Sequence, residues 1–371
     1  MMNITRKLFD KTSVLVPLVS IVLGLLFGAA VMTAGGYDAA AAYRALLDKV
    51  LGSKFDIGET IRQITPLLFT GLSVALAFRT GLFNIGAEGQ FIMGMTGATV
   101  VGVMVKLPAL IHVPLAIAAG AIAGGLWGAL VGYLKARRGV NEVISSIMLN
   151  WIALYASNFV IRRFLLEPGQ QRSRLIHESA SASLVGLSEA MDYARMHIGT
   201  LFALAGVLLF YILLWRTKQG YELRAVGHNP DAARYAGIRV SRTIVKAMFI
   251  SGLFAGLAGT FESLGVFHYE VMAASSPGYG FDGIAVSLLG GNTPLGVLLA
   301  AILFGALTYG SAGMSFGADV PTEIARIVIG AVIFFVASHG IVRWLLKPSW
   351  LWKGQRSRQG QEKGASVHEH P

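Results

Sequence analysis

Phe78–Met93 reads FRTGLFNIGAEGQFIM. Glycines 81, 86 and 89 break an otherwise apolar region, with the runs Ile64–Phe78 and Phe91–Val105 on either side. An apolar run broken by Gly, with polar Asn84 and the acid Glu88 inside the break, is the pattern of an interrupted membrane helix. Irregular backbone at membrane depth is tolerated only where protein or a water-filled cavity surrounds it. An ionisable group there is expensive and faces the bundle interior or a polar path. A helix restarting near Ile85 places Asn84 and Glu88, spaced i, i+4, on one face. Two readings stand: a discontinuous element lining a substrate path, or a turn at the membrane surface with Glu88 as a solvated or packed polar group.

The rest of the chain fits a membrane setting. Of its 371 residues 54% are hydrophobic and 14% charged, against about 25% charged in soluble domains, and mean hydropathy is +0.61. The 45 glycines suit close helix packing in lipid. No Cys is present, which excludes disulfides and thiolate metal sites. Ten apolar runs follow one another: Val14–Ala34, Ile64–Phe78, Phe91–Val105, Val113–Leu134, Val143–Ile161, Ile198–Trp215, Ala247–Phe267, Tyr279–Leu289, Leu295–Met314 and Ile324–Leu346. The expected fold class is therefore all-α: a polytopic membrane protein of about ten transmembrane helices in two pseudo-repeats with interrupted helices. A retained first span is favoured over a cleaved signal peptide, because the run is long and its cleavage sites are weak. Residues 1–346 form the expected transmembrane domain, and the charged, Gln/Gly-rich residues 347–371 an expected disordered cytoplasmic tail. Gly35–Gln63 reads as a connecting segment, with Tyr43–Leu51 a helix at the outer interface.

Charge sets the expected orientation. With the N-terminus inside, the segment 216–246 carries seven bases against Glu222 and Asp231, whereas 35–63 has four bases and four acids. That bias follows the positive-inside rule and places both termini in the cytoplasm. It also accounts for the formal charge of +11 without nucleic acid, for which no fold signature is present. Inside 216–246, Asn229-Pro230-Asp231 reads as a helix start: Asn caps, Pro tolerates the first helical position, and Asp complements the dipole. Ala232, Ala233, Arg234, Tyr235 and Ala236 continue it, and Gly237 ends it. So short a helix is marginal alone, so it calls for something that holds it.

A second Gly-rich motif, Ser275–Gly296, surrounds the acid Asp282 and occupies a place in the second half comparable to that of Phe78–Met93 in the first. Interrupted segments at matching positions point to a binding site between repeats; a plain tight turn is the alternative. Glu262 either reaches toward the outer end or pairs with His268. Asn150 and Asn158 are expected to bond between helices. There is no G-x-x-x-x-G-K-[ST], H-E-x-x-H or G-x-S-x-G, so catalysis by this chain alone is not expected.

FRTGLFNIGAEGQFIMG, KARRGVNEVISSIMLNWIA, ELRAVGHNPDAARYAGI and GYGFDGIAVSLLGGNTPLG, in that order, resemble the permease subunits of bacterial ABC importers, in the group of ribose-type sugar and branched-chain amino-acid permeases. The likeness is greatest to nucleoside permeases that work with basic-membrane-protein-type lipoproteins. It implies a multi-pass protein of the bacterial cytoplasmic (inner) membrane and a small polar substrate, nucleosides before simple sugars. It also implies three partners: a cytoplasmic ABC ATPase that binds the ATP, a second and different permease chain, and an extracytoplasmic solute-binding lipoprotein. No cofactor on this chain is implied. Asn229–Gly237 becomes the coupling helix, and Asn84, Glu88 and Asp282 become candidates for the pathway. The competing expectations are a stand-alone secondary transporter or channel using Glu88 or Asp282, and a membrane-embedded scaffold or enzyme subunit.

Overall fold

The computed structural model describes residues 11–338. The boundary at 346 and the tail 347–371 lie outside the described residues. Within them, regular structure is helical, with isolated β-bridges and no strand.

In chain order the helices are α1 (Lys11–Ala34), α2 (Ala39–Leu51), α3 (Lys54–Arg79), α4 (Ala87–Met104), α5 (Ala109–Arg138), α6 (Glu142–Val160), α7 (Val185–Ala190) and α8 (Gly199–Arg216). Then come α9 (Lys218–His228), α10 (Pro230–Tyr235), α11 (Val240–Phe261), α12 (Tyr279–Leu289), α13 (Pro294–Ala318) and α14 (Thr322–Ala337). Wide π turns prolong α6 to Leu165 and α11 to Phe267. Among the described residues six helices are long and apolar enough to cross a membrane, namely α3, α5, α6, α8, α11 and α13, and shorter apolar helices accompany them. Among the described residues, each of the ten apolar runs carries a helix. The chain is an all-α polytopic membrane protein.

Two departures from the sequence reading have simple causes. Residues 54–63 are not a connector: they are the first turns of α3, started by Ser53, whose hydroxyl accepts the Asp56 N–H at 3.0 Å. Their charges mislead because Glu59 and Arg62 neutralise each other in the interior. Likewise Lys218–His228 is helix rather than loop. Thr217 caps it by accepting the Gly220 N–H at 3.0 Å, and Leu223 and Val226 give it a buried side.

By its contacts the chain divides into a unit of residues 40–322 and a unit of 1–39 with 323–371. In the smaller unit α1 and α14 pack closely: a Cβ on Gly24 would stand 2.4 Å from Val332 Cα. In the larger unit α3 is central, its most apolar stretch 83% buried. Beside it α4, α5 and α11 meet backbone to backbone. Gly120, Gly124 and Gly128 recur every fourth residue on α5; the first two face Gly252 and Gly256 on α11, and Gly128 faces the Met248 backbone. A Cβ on Gly124 would come within 2.6 Å of Gly256 Cα, and one on Gly94 of α4 within 2.3 Å of Gly256 O. Lipid tails give helices no hydrophobic reason to associate, so such contact supplies the attraction through dispersion. Gly256→Val is therefore expected to lower the detergent-extracted melting temperature or abolish accumulation in the membrane. Gly186→Ala, where a Cβ meets nothing within 4 Å, is expected to leave both unchanged.

Candidate functional site

Each half of the larger unit contains a long helix, a break and a second helix. In the first, α3 ends at Arg79, residues 80–86 turn back, and α4 starts at Ala87. In the second, α11 and its π turn end at Phe267, residues 268–278 run irregularly, and α12 starts at Tyr279. The N-termini of α4 and α12 meet. A Cβ on Gly280 would sit 2.2 Å from Glu88 N, so only glycine allows this approach.

Glu88 is fully buried, and its carboxylate accepts the Gly278 N–H through Oε1 and the Gly280 N–H through Oε2, both at 2.6 Å. The first N–H groups of a helix have no partner in their own helix and carry the positive end of its dipole. A carboxylate from the neighbouring helix satisfies both needs. Asp282 lies in the first turn of α12, part-exposed, where its charge also complements the dipole.

Asn84 is not on a face with Glu88, because α4 begins at Ala87 and leaves Asn84 in the turn. Its buried amide pairs reciprocally with Gln90: Asn84 Nδ2 donates to Gln90 Oε1 at 2.9 Å and Gln90 Nε2 to Asn84 Oδ1 at 3.1 Å. Ser251 of α11 accepts a further Asn84 N–H at 2.7 Å. Asn150 of α6 clamps the same break, taking the Gly89 N–H at 2.9 Å and donating to Ile85 O at 3.1 Å. Asn158 does the same for the second break, exchanging two bonds with Ala273. Asn150 thus bonds between helices as expected, whereas Asn158 bonds to the irregular segment rather than to a helix.

Glu262 does not pair with His268. It is buried against Arg62, with Nη1 to Oε1 at 3.2 Å, while His268 Nε2 lies 2.9 Å from the Ser183 hydroxyl. Arg62 also holds Glu59 at 2.9 Å and donates to Gln63 at 3.0 Å, and Arg195 reaches Glu59 at 2.6 Å. The Tyr279 hydroxyl lies 3.4 Å from both Gln63 and Glu262 and its ring 5.3 Å from that of Phe91. This cluster escapes sequence reading except for the i, i+3 spacing of Glu59 and Arg62. It fastens the start of α12 through the Tyr279 hydroxyl. Beside the junction opens a cleft of about 320 Å³, lined by Ile85, Ile147, Asn150, Trp151, Ser276 and Phe281 among others.

The predicted helix at 229–237 is present as α10. Asn229 Oδ1 accepts the N–H groups of Asp231 and Ala232 at 3.0 Å. Gly237, at φ +82°, closes it: its N–H goes to Arg234 O at 3.0 Å and that of Ile238 to Ala233 O at 2.9 Å, a complete Schellman end. Ala233 is buried among Val226, Val240 and Ile238, which is the support so short a helix needs. Pro230, Asp231, Ala232, Arg234, Tyr235 and Ala236 are all exposed, Tyr235 at 97%. Arg79 lies at the same end of the bundle: a Cβ on neighbouring Gly81 would be 3.0 Å from Gly227 Cα in α9.

A helical membrane bundle with paired broken helices and an exposed, capped helix at its basic end has the architecture of a transport permease. The chain belongs to the branched-chain amino acid transport system / permease component family, whose model matches residues 57–337. It is 48% identical over 332 residues to the guanosine ABC transporter permease protein NupP of Bacillus subtilis, covering 90% of this chain and 95% of that one. It is 39% identical to the nucleoside ABC transporter permease protein NupB of Lactococcus lactis, over 93% and 95% of the two chains. It is 33% identical to the glucose ABC transporter permease protein TsgB13 of Haloferax volcanii, over 86% of each.

Glu88→Ala strands two N–H groups at the start of α12. A loss of about 1–3 kcal/mol of stability is expected for each buried group left unpaired, read as a lower melting temperature of the purified protein. Glu88→Gln, which sets an amide NH₂ against a backbone donor, is expected to fall between Ala and wild type and to impair uptake at normal abundance. An unchanged melting temperature in Glu88→Ala contradicts the clamp.

Proposed function

We propose that this chain is a permease subunit of an ATP-driven nucleoside importer in a bacterial cytoplasmic membrane, with both termini in the cytoplasm. The observation that carries the reading is the 48% identity to a guanosine permease along 95% of that protein's length. The glucose permease is less similar, which puts simple sugars second. The orientation rests on the basic end of the bundle, where Arg79, Lys135, Arg216 and the α9–α10 segment gather.

In this reading α10 docks on a separate cytoplasmic ATPase. Its outer side is short, rigidly capped at both ends and presents Tyr235 and Arg234. Aromatic and Arg side chains are the residue types that most often anchor protein contacts. Closure of the ATPase pair moves α10, and α9 and α11 carry the displacement into the spans. The path runs beside the junction of α4 and α12. Asn84 and Glu88 act there as framing residues sealed inside the chain, and Asp282 is the one of the three with access to it. A second, different permease chain completes the path, and a solute-binding lipoprotein delivers substrate from outside. ATP is bound by the ATPase, and this chain needs no cofactor.

Tyr235→Ala and Arg234→Glu alter exposed side chains, so stability is expected to stay within about 0.5 kcal/mol of wild type. Nucleoside uptake is expected to fall about tenfold or more, with substrate no longer stimulating ATP hydrolysis, in proteoliposomes of the assembled transporter. Full uptake and full ATPase stimulation in both variants overturn the docking role.

A further inference from the structure

Helix α6 carries Trp151, Tyr155 and Phe159 at four-residue spacing, 52%, 64% and 62% exposed. The three therefore share one face. The Trp151 and Tyr155 rings stack with centroids 6.3 Å apart and planes 25° apart. This is an unusual place for them. Trp and Tyr of membrane helices favour the two interfaces, where the polar tip reaches water. Trp151 and Tyr155 instead occupy the middle of the 24-residue span Glu142–Leu165. Among the described residues neither the indole N–H nor the phenol hydroxyl has a hydrogen-bond partner. A purely lipid-facing stripe has no use for those polar tips.

Trp151 also lines the 320 Å³ cleft beside the broken helices, and Phe281, 45% exposed, lines it from α12. One Trp151 face is taken by Tyr155, which leaves the other, with the Phe281 ring, to meet a third ring in the cleft. The volume is at the small end of the range for small-molecule sites. Ser276 adds a hydroxyl from the second break. Asn150 is already committed to Ile85 and Gly89, so it holds the wall rather than offering bonds. Flat apolar faces with few polar groups suit a planar heteroaromatic ring, because every nucleobase has a π face and stacking on aromatic side chains tolerates differences among bases.

We propose that Trp151 and Phe281 form a stacking site for the base of a nucleoside in transit, with Tyr155 and Phe159 extending it along α6. The inference rests on the nucleoside reading above and adds the residues that grip the base. With Asn150 committed and Ser276 the remaining polar side chain in the lining, few groups can read the base's edge, so selectivity among bases is low here.

The test uses the whole transporter, with its ATPase, second permease and lipoprotein, in proteoliposomes. Uptake of labelled guanosine per permease molecule is compared for wild type, Trp151→Ala, Trp151→Phe and Phe281→Ala. Loss of one stacking face is expected to lower kcat/KM about tenfold in both Ala variants, and Trp151→Phe is expected to keep most of it. A photoreactive azidopurine nucleoside, applied to wild type during turnover, is expected to label peptides containing Trp151 or Phe281. This arm stands even where an Ala variant fails to accumulate. Wild-type guanosine uptake with normal kinetics in both Ala variants, equal loss in Trp151→Phe, or label confined elsewhere overturns the stacking site and leaves the nucleoside reading intact. Those are the results expected if an acyl chain or the second permease fills the cleft. Absence of nucleoside uptake by wild type refutes the nucleoside reading itself, and the stacking site with it.

Discussion

The Glu88 carboxylate on the N–H groups of Gly278 and Gly280 is the contact on which the rest of the arrangement depends. A membrane offers no water to a broken helix, so each free N–H must find a protein acceptor. Two helices that start inside the bundle double that demand. Glu88 meets it for α12 from the first turn of α4, and the charge it brings is stabilised by the dipole it caps. Glycine at 280 lets the two backbones approach closely enough for the bond to form. The Asn84–Gln90 pair and Asn150 then serve the first break, and Asn158 the second. The Arg62 cluster holds the Tyr279 hydroxyl. Removing one partner from such a buried ionic cluster leaves a charge without compensation, which costs far more than the pair contributes.

That contact separates what is fixed from what is available to move. The glycine seam of α4, α5 and α11 brings backbones so close that no side chain fits between them. Helix α10 is different. It is attached by Ala233 and its two caps, and most of its surface is free. A rigid peg on a light attachment transmits a push from outside the bundle without deforming within itself. The α9 helix before it and α11 after it give that push two levers into the membrane. Function in this reading sits at opposite ends of one mechanical chain, with α10 at the basic end and the α4–α12 junction in the interior.

Much of this was legible in the sequence, and the reasons differ by element. Membrane helices show because 20 apolar residues leave few other options. Helix α10 shows because Asn-Pro-Asp and a following Gly are local signals whose partners lie within eight residues. The glycine breaks at 81–89 and 275–280 show for the same reason. What the breaks bond to does not, since Glu88 and Gly278 are 190 residues apart. Charged residues misled most. Glu59 and Arg62 look like a solvated connector until Glu262, 200 residues from Arg62, is placed beside them. Helix α9 was obscured by its bases Lys218 and Arg224, in a helix with only Gly220, Leu223 and Val226 buried.

The 97% exposure of Tyr235 favours a crosslinking measurement above others. A photoreactive amino acid is placed at Tyr235 and, separately, at Tyr193, which is 76% exposed in the loop between α7 and α8. Whole transporter is then irradiated in native membranes. The account predicts a covalent adduct with the ATPase from position 235 and none from position 193. No adduct from 235, or an ATPase adduct from 193, contradicts it.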